Sequence, residues 1–202
     1  MQHIESKVLA SISGHGPGWV FTPRHYSALG DPRSVGMALT RLHRRGVIRR
    51  LARGLYDHPR RHPQLGDLAP SPDAVARALA GRDAIRIQPS GAYAANRLGL
   101  SEQVPMRVVF LTDGPSRNVV LGRQEIRLRR TTPRNMATAG TRGGLIIQAL
   151  KHVGRRQVDE DVVRAIRTGL PRDERKPLLR LVPYAPAWIA SILRRLASED
   201  EG

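Results

Sequence analysis

Between residues 21 and 57 a run of helix starts and stops leaves the chain few ways to fold: FTPRHYSALGDPRSVGMALTRLHRRGVIRRLARGLYD. Thr22 suits an N-cap and Pro23 the first helical position, where a missing N–H costs nothing. Phe21 and Tyr26 stand at the spacing of a hydrophobic staple. Gly30 ends this first helix, and Asp31 and Pro32 cap and start the next. In the second helix Val35, Leu39 and Leu42 fall on one stripe at i, i+4, i+7. Arg33, Ser34, Met37, Thr40, Arg41 and Arg44 occupy its other faces, and Gly46 stops it. Residues 47–52 then read as a strand, Arg53 and Gly54 as a turn, and Leu55 to Asp57 as the returning strand. Helix, turn, helix and hairpin in this order is the pattern of a winged helix-turn-helix, whose second helix enters the major groove.

Charge points the same way and is an independent signal. The 202 residues carry a formal net charge of +17, which suits a polyanionic partner. Residues 1–63 hold 11 Lys and Arg against 3 Asp and Glu, a net of +8; residues 64–202 hold 23 against 14, a net of +9 over more than twice the length. The density is highest where the helix-turn-helix pattern lies. Of the basic residues only Lys7, Lys151 and Lys176 are lysine. Arginine suits phosphate and guanine recognition, but a GC-rich genome accounts for that preference equally well, so only the excess charge counts. There is no cysteine, hence no disulfide framework and no cysteine zinc site. No run reaches the apolar length of a membrane span, and no secretory h-region is seen, so the expectation is a cytoplasmic protein.

Around this core stretch, residues 3–12 read as a first helix with Ile4, Val8 and Ile12 on one face, and Trp19-Val20 as a short strand. Residues 58–72 are rich in Pro, Arg and His without periodicity, which places a linker at 64–72 between domains at 1–63 and 73–202. His58 and His62 are four apart, but Pro59 and Pro63 disfavour a helix there and no third ligand is near; no metal is expected. Ser71 to Asp73 start a helix ending at Gly81. Ile85 and Ile87 mark a strand, residues 90–100 a helix rich in small residues, and residues 107–112 an apolar, central strand. Residues 118–121 and 125–130 complete an antiparallel meander, with Ile126 and Leu128 inward and Arg127 and Arg129 outward. From Gly143 the chain reads as helical, with starts and stops at Gly154, Asp159 and Gly169 and an acidic tail, SEDEG. The predicted class is α+β: a winged helix-turn-helix domain, then a mixed α/β domain with a small antiparallel sheet and C-terminal helices.

Several blocks in order give a wider resemblance: FTPRHYSALG and ALTRLHRRGVIRRLARGLYDHP, then PSGAYAANRLGLSEQVPMRVVFLTDG, IRLRRTTPRNM and QALKHVG. With these the chain resembles the AbiEi-like antitoxins of type IV toxin–antitoxin systems. The resemblance implies an N-terminal winged domain that binds double-stranded operator DNA and represses its own operon. It also implies a C-terminal domain that antagonises a nucleotidyltransferase-like toxin. The alternative is a stand-alone winged-helix regulator whose C-terminal domain senses a ligand or a protein.

For reading bases the expected residues are Arg33, Ser34, Met37 and Arg41, since side chains near the start of a recognition helix reach base edges. Arg44 and Arg45, in the last turn, are further DNA-contact candidates, with a role on the helix dipole, independent of DNA, as the equal alternative. Arg49, Arg50 and Arg53 line the proposed wing, where phosphate or minor-groove contact competes with plain solvation. Arg127 and Arg129, with Arg130 and Arg107, could face an acidic protein, extend a DNA footprint or solvate the sheet. Asn96 and Gln103 read as satisfied core amides. No catalytic residue and no cofactor is expected. SGAYAANRLG is not followed by the paired carboxylates of a metal-dependent transferase, and Asp159, Glu160 and Asp161 sit where a helix start favours acids. Walker A, G-x-S-x-G and H-E-x-x-H motifs are absent from the sequence.

Overall fold

The caps read from the sequence set the first elements in a computed structural model that describes residues 2–81 and 85–198. Helix α1 spans Gln2–His15 and buries Val8 and Ile12 completely, with Ile4 partly covered. Strand β1, Val20–Phe21, comes next. The expected helix after Thr22 is a single 3-10 turn, Pro23–Tyr26. Its bonds run three residues back, from His25 N to Thr22 O and from Ser27 N to Arg24 O, and the His25 ring accepts from Thr22 N at 3.1 Å. Helix α2, Pro32–Arg44, begins on the Asp31 carboxylate, which accepts from Arg33 N and Ser34 N at 3.0 Å each. Hydrogen bonds from Ser34 hold that carboxyl below the usual carboxylate range. The helix ends at Gly46, whose φ of +70° suits a residue without Cβ.

Strands β2, Arg49–Ala52, and β3, Leu55–Asp57, form the expected hairpin, and β3 lies between β2 and β1 in a three-stranded sheet. The register shifts between Arg50 and Ala52, a bulge at Leu51 that breaks the simple alternation expected of β2. The core beneath is Val8, Ile12, Phe21, Tyr26, Val35, Leu39, Leu42 and Ile48. Phe21 stacks between Trp19 and Tyr56, with ring centroids 4.6 and 6.1 Å away.

Residues 58–72 are not a free linker. Strands β4, Arg61–His62, and β5, Gly66–Asp67, make a small hairpin, pinned by Leu68 N donating to Arg60 O. The Arg49 guanidinium donates to the carbonyls of Asp67 and Leu68, at 3.5 and 2.8 Å. Helix α3, Pro72–Ala80, capped by Ser71, lies beside β1. The chain divides into two compact units, residues 1–85 with 117–126 and residues 86–116 with 127–202, so α3 belongs with the N-terminal unit and not with the second.

A second sheet contains β6 (Ile87–Ser90), β7 (Arg107–Thr112), β8 (Arg117–Leu121) and β9 (Gln124–Arg130), with helix α4, Gly91–Arg97, between the first two in sequence. Strand order is β6-β7-β9-β8, with β6 and β7 antiparallel. β7 is central as expected, but its second neighbour is β9, so the three strands are not a meander in chain order. At the end of β9, Thr131 N donates to the carbonyl of Thr112, the last residue of β7, and Arg130 N to Ser116 Oγ in the loop after it.

Helices α5 (Pro133–Met136), α6 (Arg142–Val153), α7 (Glu160–Thr168), α8 (Arg172–Arg175) and α9 (Ala187–Ala197) complete the second unit, with a 3-10 stretch at Lys176–Tyr184. Its core joins Ile146, Ile147 and Leu150 of α6 to Val163 and Ile166 of α7 and Ile189, Leu193 and Leu196 of α9. Ala94 and Ala95 of α4 pack on Ala149 of α6, a close approach between small residues. The result is an α+β fold with small antiparallel sheets. Of the acidic tail, residues 199–202 lie outside the described residues. No helix among the described residues is long and apolar enough to cross a membrane.

Candidate nucleic-acid interface

Helix α2 sorts its residues by what lies beside each face. Val35, Ala38, Leu39 and Leu42 are buried. The opposite edge, at intervals of four, three and four residues, is Arg33, Met37, Thr40 and Arg44, all exposed. At a rise of 1.5 Å per residue this edge is about 16 Å long. Among the described residues no acid pairs with Arg33 or Arg44. Met37 exposes 38% of its surface, and the Thr40 hydroxyl donates to Gly36 O at 2.9 Å, which leaves Thr40 an acceptor and a methyl. Two guanidinium groups, a thioether and a hydroxyl in one row can meet phosphates and base edges alike.

The flank between the buried face and this edge belongs to α1. Ser34, Met37, Ala38 and Arg41 line a shallow recess with Ile4. Arg41 Nη1 lies 3.4 Å from Glu5 Oε2, and Arg45 Nη2 pairs with Glu5 Oε1. Of the residues expected to read bases, Arg33 and Met37 therefore stand on the open edge, while Ser34 and Arg41 stand on the α1 flank.

The hairpin also sorts its arginines. Arg49 Nε donates to Asp57 Oδ1 at 3.1 Å and Nη2 to Oδ2 at 2.6 Å, and Asp57 is 1% exposed. Those hydrogen bonds raise the Arg49 pKa above its ordinary value. With two further bonds to the Asp67 and Leu68 carbonyls, this half-buried guanidinium is committed to partners within the chain, which corrects its placement among DNA-facing residues. Arg50 and Arg53 are exposed, and Arg53 sits at the turn beside Gly54. His62 caps its own turn, its Nδ1 accepting from Gln64 N and Leu65 N.

With this geometry in view, comparison with known proteins places the chain. It matches the model of a family of unknown function (DUF6088) over residues 7–178. The chain belongs to that family. No curated protein matches it. Among solved structures it is similar to the RV2827C protein from Mycobacterium tuberculosis, at 17% identity and a TM-score of 0.47, over 97% of this chain and 82% of that one.

For this DUF6088 chain, the sequence-based set of DNA-binding candidates omitted Thr40 and held Arg44 with a helix-end role as an equal alternative. Ala38 held the missed signal. Counted as apolar, it widens the buried stripe to one side and moves the open edge onto residues 33, 37, 40 and 44. In the second unit Arg127 and Arg129 are exposed between the buried Ile126 and Leu128, as the alternation requires. Asn96 is satisfied, donating to Ser101 O at 3.0 Å. Gln103 is exposed and is not a core amide. Among the described residues the buried amides are Gln88, which accepts from Gly140 N at 3.0 Å, and Gln148, which accepts from the Ser90 hydroxyl at 3.3 Å.

Proposed function

We propose that the N-terminal unit binds double-stranded DNA as a winged helix-turn-helix, with α2 in the major groove and the β2–β3 hairpin as the wing. The observation that carries this reading is the row of Arg33, Met37, Thr40 and Arg44, exposed along one edge of a well-capped helix with no acid among the described residues pairing its arginines. Arg33 and Arg44 suit guanine or phosphate, and Met37 and the Thr40 methyl suit thymine methyls. Arg50 and Arg53 add phosphate contacts from the wing. If Arg33, Arg44, Arg50 and Arg53 each neutralise one phosphate, the slope of log affinity against log salt is about −3.6.

The order of sequence blocks shared with AbiEi-like antitoxins supports a role for the whole chain: it represses its own operon and antagonises a nucleotidyltransferase-like toxin encoded beside it. Two experiments test the halves separately. Gel shifts on a duplex from the chain's own upstream region give a specific complex that Arg33→Ala with Arg44→Ala abolishes. Co-expression of the full chain with the adjacent open reading frame restores growth; failure to do so would remove the antitoxin half and leave the DNA half standing.

A further inference from the structure

We propose that Glu5 of α1 sets the selectivity of DNA binding by holding Arg41 and Arg45 off the phosphates. The inference rests on the DNA-binding reading above. Arg41 and Arg45 are one helical turn apart, so their side chains leave α2 on the same flank. Both reach one carboxylate, Arg41 at Oε2 and Arg45 at Oε1. The Glu5 side chain is 16% exposed, against 45% and 54% for the two arginines. Both oxygens of one partly covered acid are thus engaged by the two guanidinium groups.

The consequence lies in what phosphate contacts do. They add affinity for any sequence and carry no base information of their own. A phosphate reaching Arg41 or Arg45 would meet the Glu5 charge beside it, so neither arginine closes on a phosphate and releases its counterion. Four arginines lie on α2 or at its end, at 33, 41, 44 and 45. Glu5 withdraws two of them from the sequence-independent attraction and leaves the open edge to discriminate. A carboxylate in the first turn of α1 also favours that helix's dipole and ties α1 to α2, so the test must separate selectivity from stapling.

The experiment uses the full chain and fluorescence anisotropy on two duplexes, one of random sequence and one from its own upstream region, across a range of salt. Glu5→Gln keeps the size and some hydrogen bonding but removes the charge. It tightens binding to the random duplex several-fold, steepens its salt slope by one to two units, about 0.9 for each freed arginine, and narrows the gap between the two duplexes. Arg41→Gln with Arg45→Gln leaves the random-duplex slope at its wild-type value, and the same pair added to Glu5→Gln returns the slope there. An unchanged slope in Glu5→Gln, with only a lower melting temperature, would mean that Glu5 is a staple and would overturn the proposal. So would a slope reduced by one to two in a folded Arg41→Gln, Arg45→Gln chain, because both arginines would then already be on phosphates. Absence of binding by the wild-type chain to either duplex would instead fall on the DNA-binding reading itself.

Discussion

Arg49 and Arg50 are adjacent in one strand yet have opposite roles, and replacing each by alanine separates them. Arg49 makes two hydrogen bonds to a carboxylate that is 1% exposed and two more to backbone carbonyls at Asp67 and Leu68. Arg49→Ala leaves the Asp57 charge buried without its partner, which costs about 3–5 kcal/mol. Against a total stability of about 5–15 kcal/mol that is a large share. For a chain of this size each kcal/mol moves the midpoint by about 2–4 °C, so the thermal transition falls by roughly 6–20 °C. The Arg49→Met, Asp57→Leu pair removes both charges and recovers most of the loss, since an apolar pair of similar volume is often neutral or better. Arg50→Ala, exposed and on the outer side of the strand, leaves the melt within about 1 °C, an effect under 0.5 kcal/mol. Circular dichroism melts of the wild type and these three variants decide the matter. An Arg49→Ala chain that melts with the wild type would refute the assignment of Arg49 as the partner of the buried Asp57 charge.

The same geometry sets other outcomes. Helix propensity alone makes Gly144→Ala stabilising by about 1 kcal/mol. A Cβ at that position would stand 2.0 Å from Thr138 O, a backbone atom, so the variant is destabilised by roughly 1–3 kcal/mol or more in a urea titration. Arg53→Ala weakens binding to all duplexes alike, lowers the salt slope by about one unit and leaves the melt unchanged. Asp113 accepts from the Arg86 guanidinium and backbone N–H, both at 2.9 Å, and the guanidinium chiefly holds its carboxyl below the ordinary range. Its contribution to stability is therefore present above the ordinary carboxylate pKa and is lost as pH falls through the lower, folded value. Asp113→Asn flattens that part of an acid melting series; an unaltered series would refute it.

What the sequence disclosed is what depends on near neighbours. Asp31 as the cap of α2, Gly46 as its stop, residues 55–57 and 107–112 as strands and Asp159 as a cap all rest on contacts within a few residues. What it concealed depends on partners far along the chain. Arg49 reads as a surface wing residue until Asp57, Asp67 and Leu68 are brought to it, eight to nineteen positions away. Arg41 reads as a base reader until α1 delivers Glu5 from 36 positions earlier. Residues 58–72 lack periodicity because their hairpin is only two residues a side and is held by its neighbours rather than by an apolar face of its own. For the open edge of α2 the pattern was present in the sequence: small Ala38 marks the side on which α1 packs.

DNA binding by this chain stands or falls on the Arg33–Met37–Thr40–Arg44 edge of α2. The deciding quantity is the affinity of the folded Arg33→Ala, Arg44→Ala chain for a duplex from its own upstream region, beside the wild type at one fixed salt concentration. Loss of two charged contacts there predicts about 2–6 kcal/mol if each is a bidentate base contact, at least about 30-fold weaker binding, with the melt unchanged. Equal affinity of the two proteins would mean that this edge does not touch DNA.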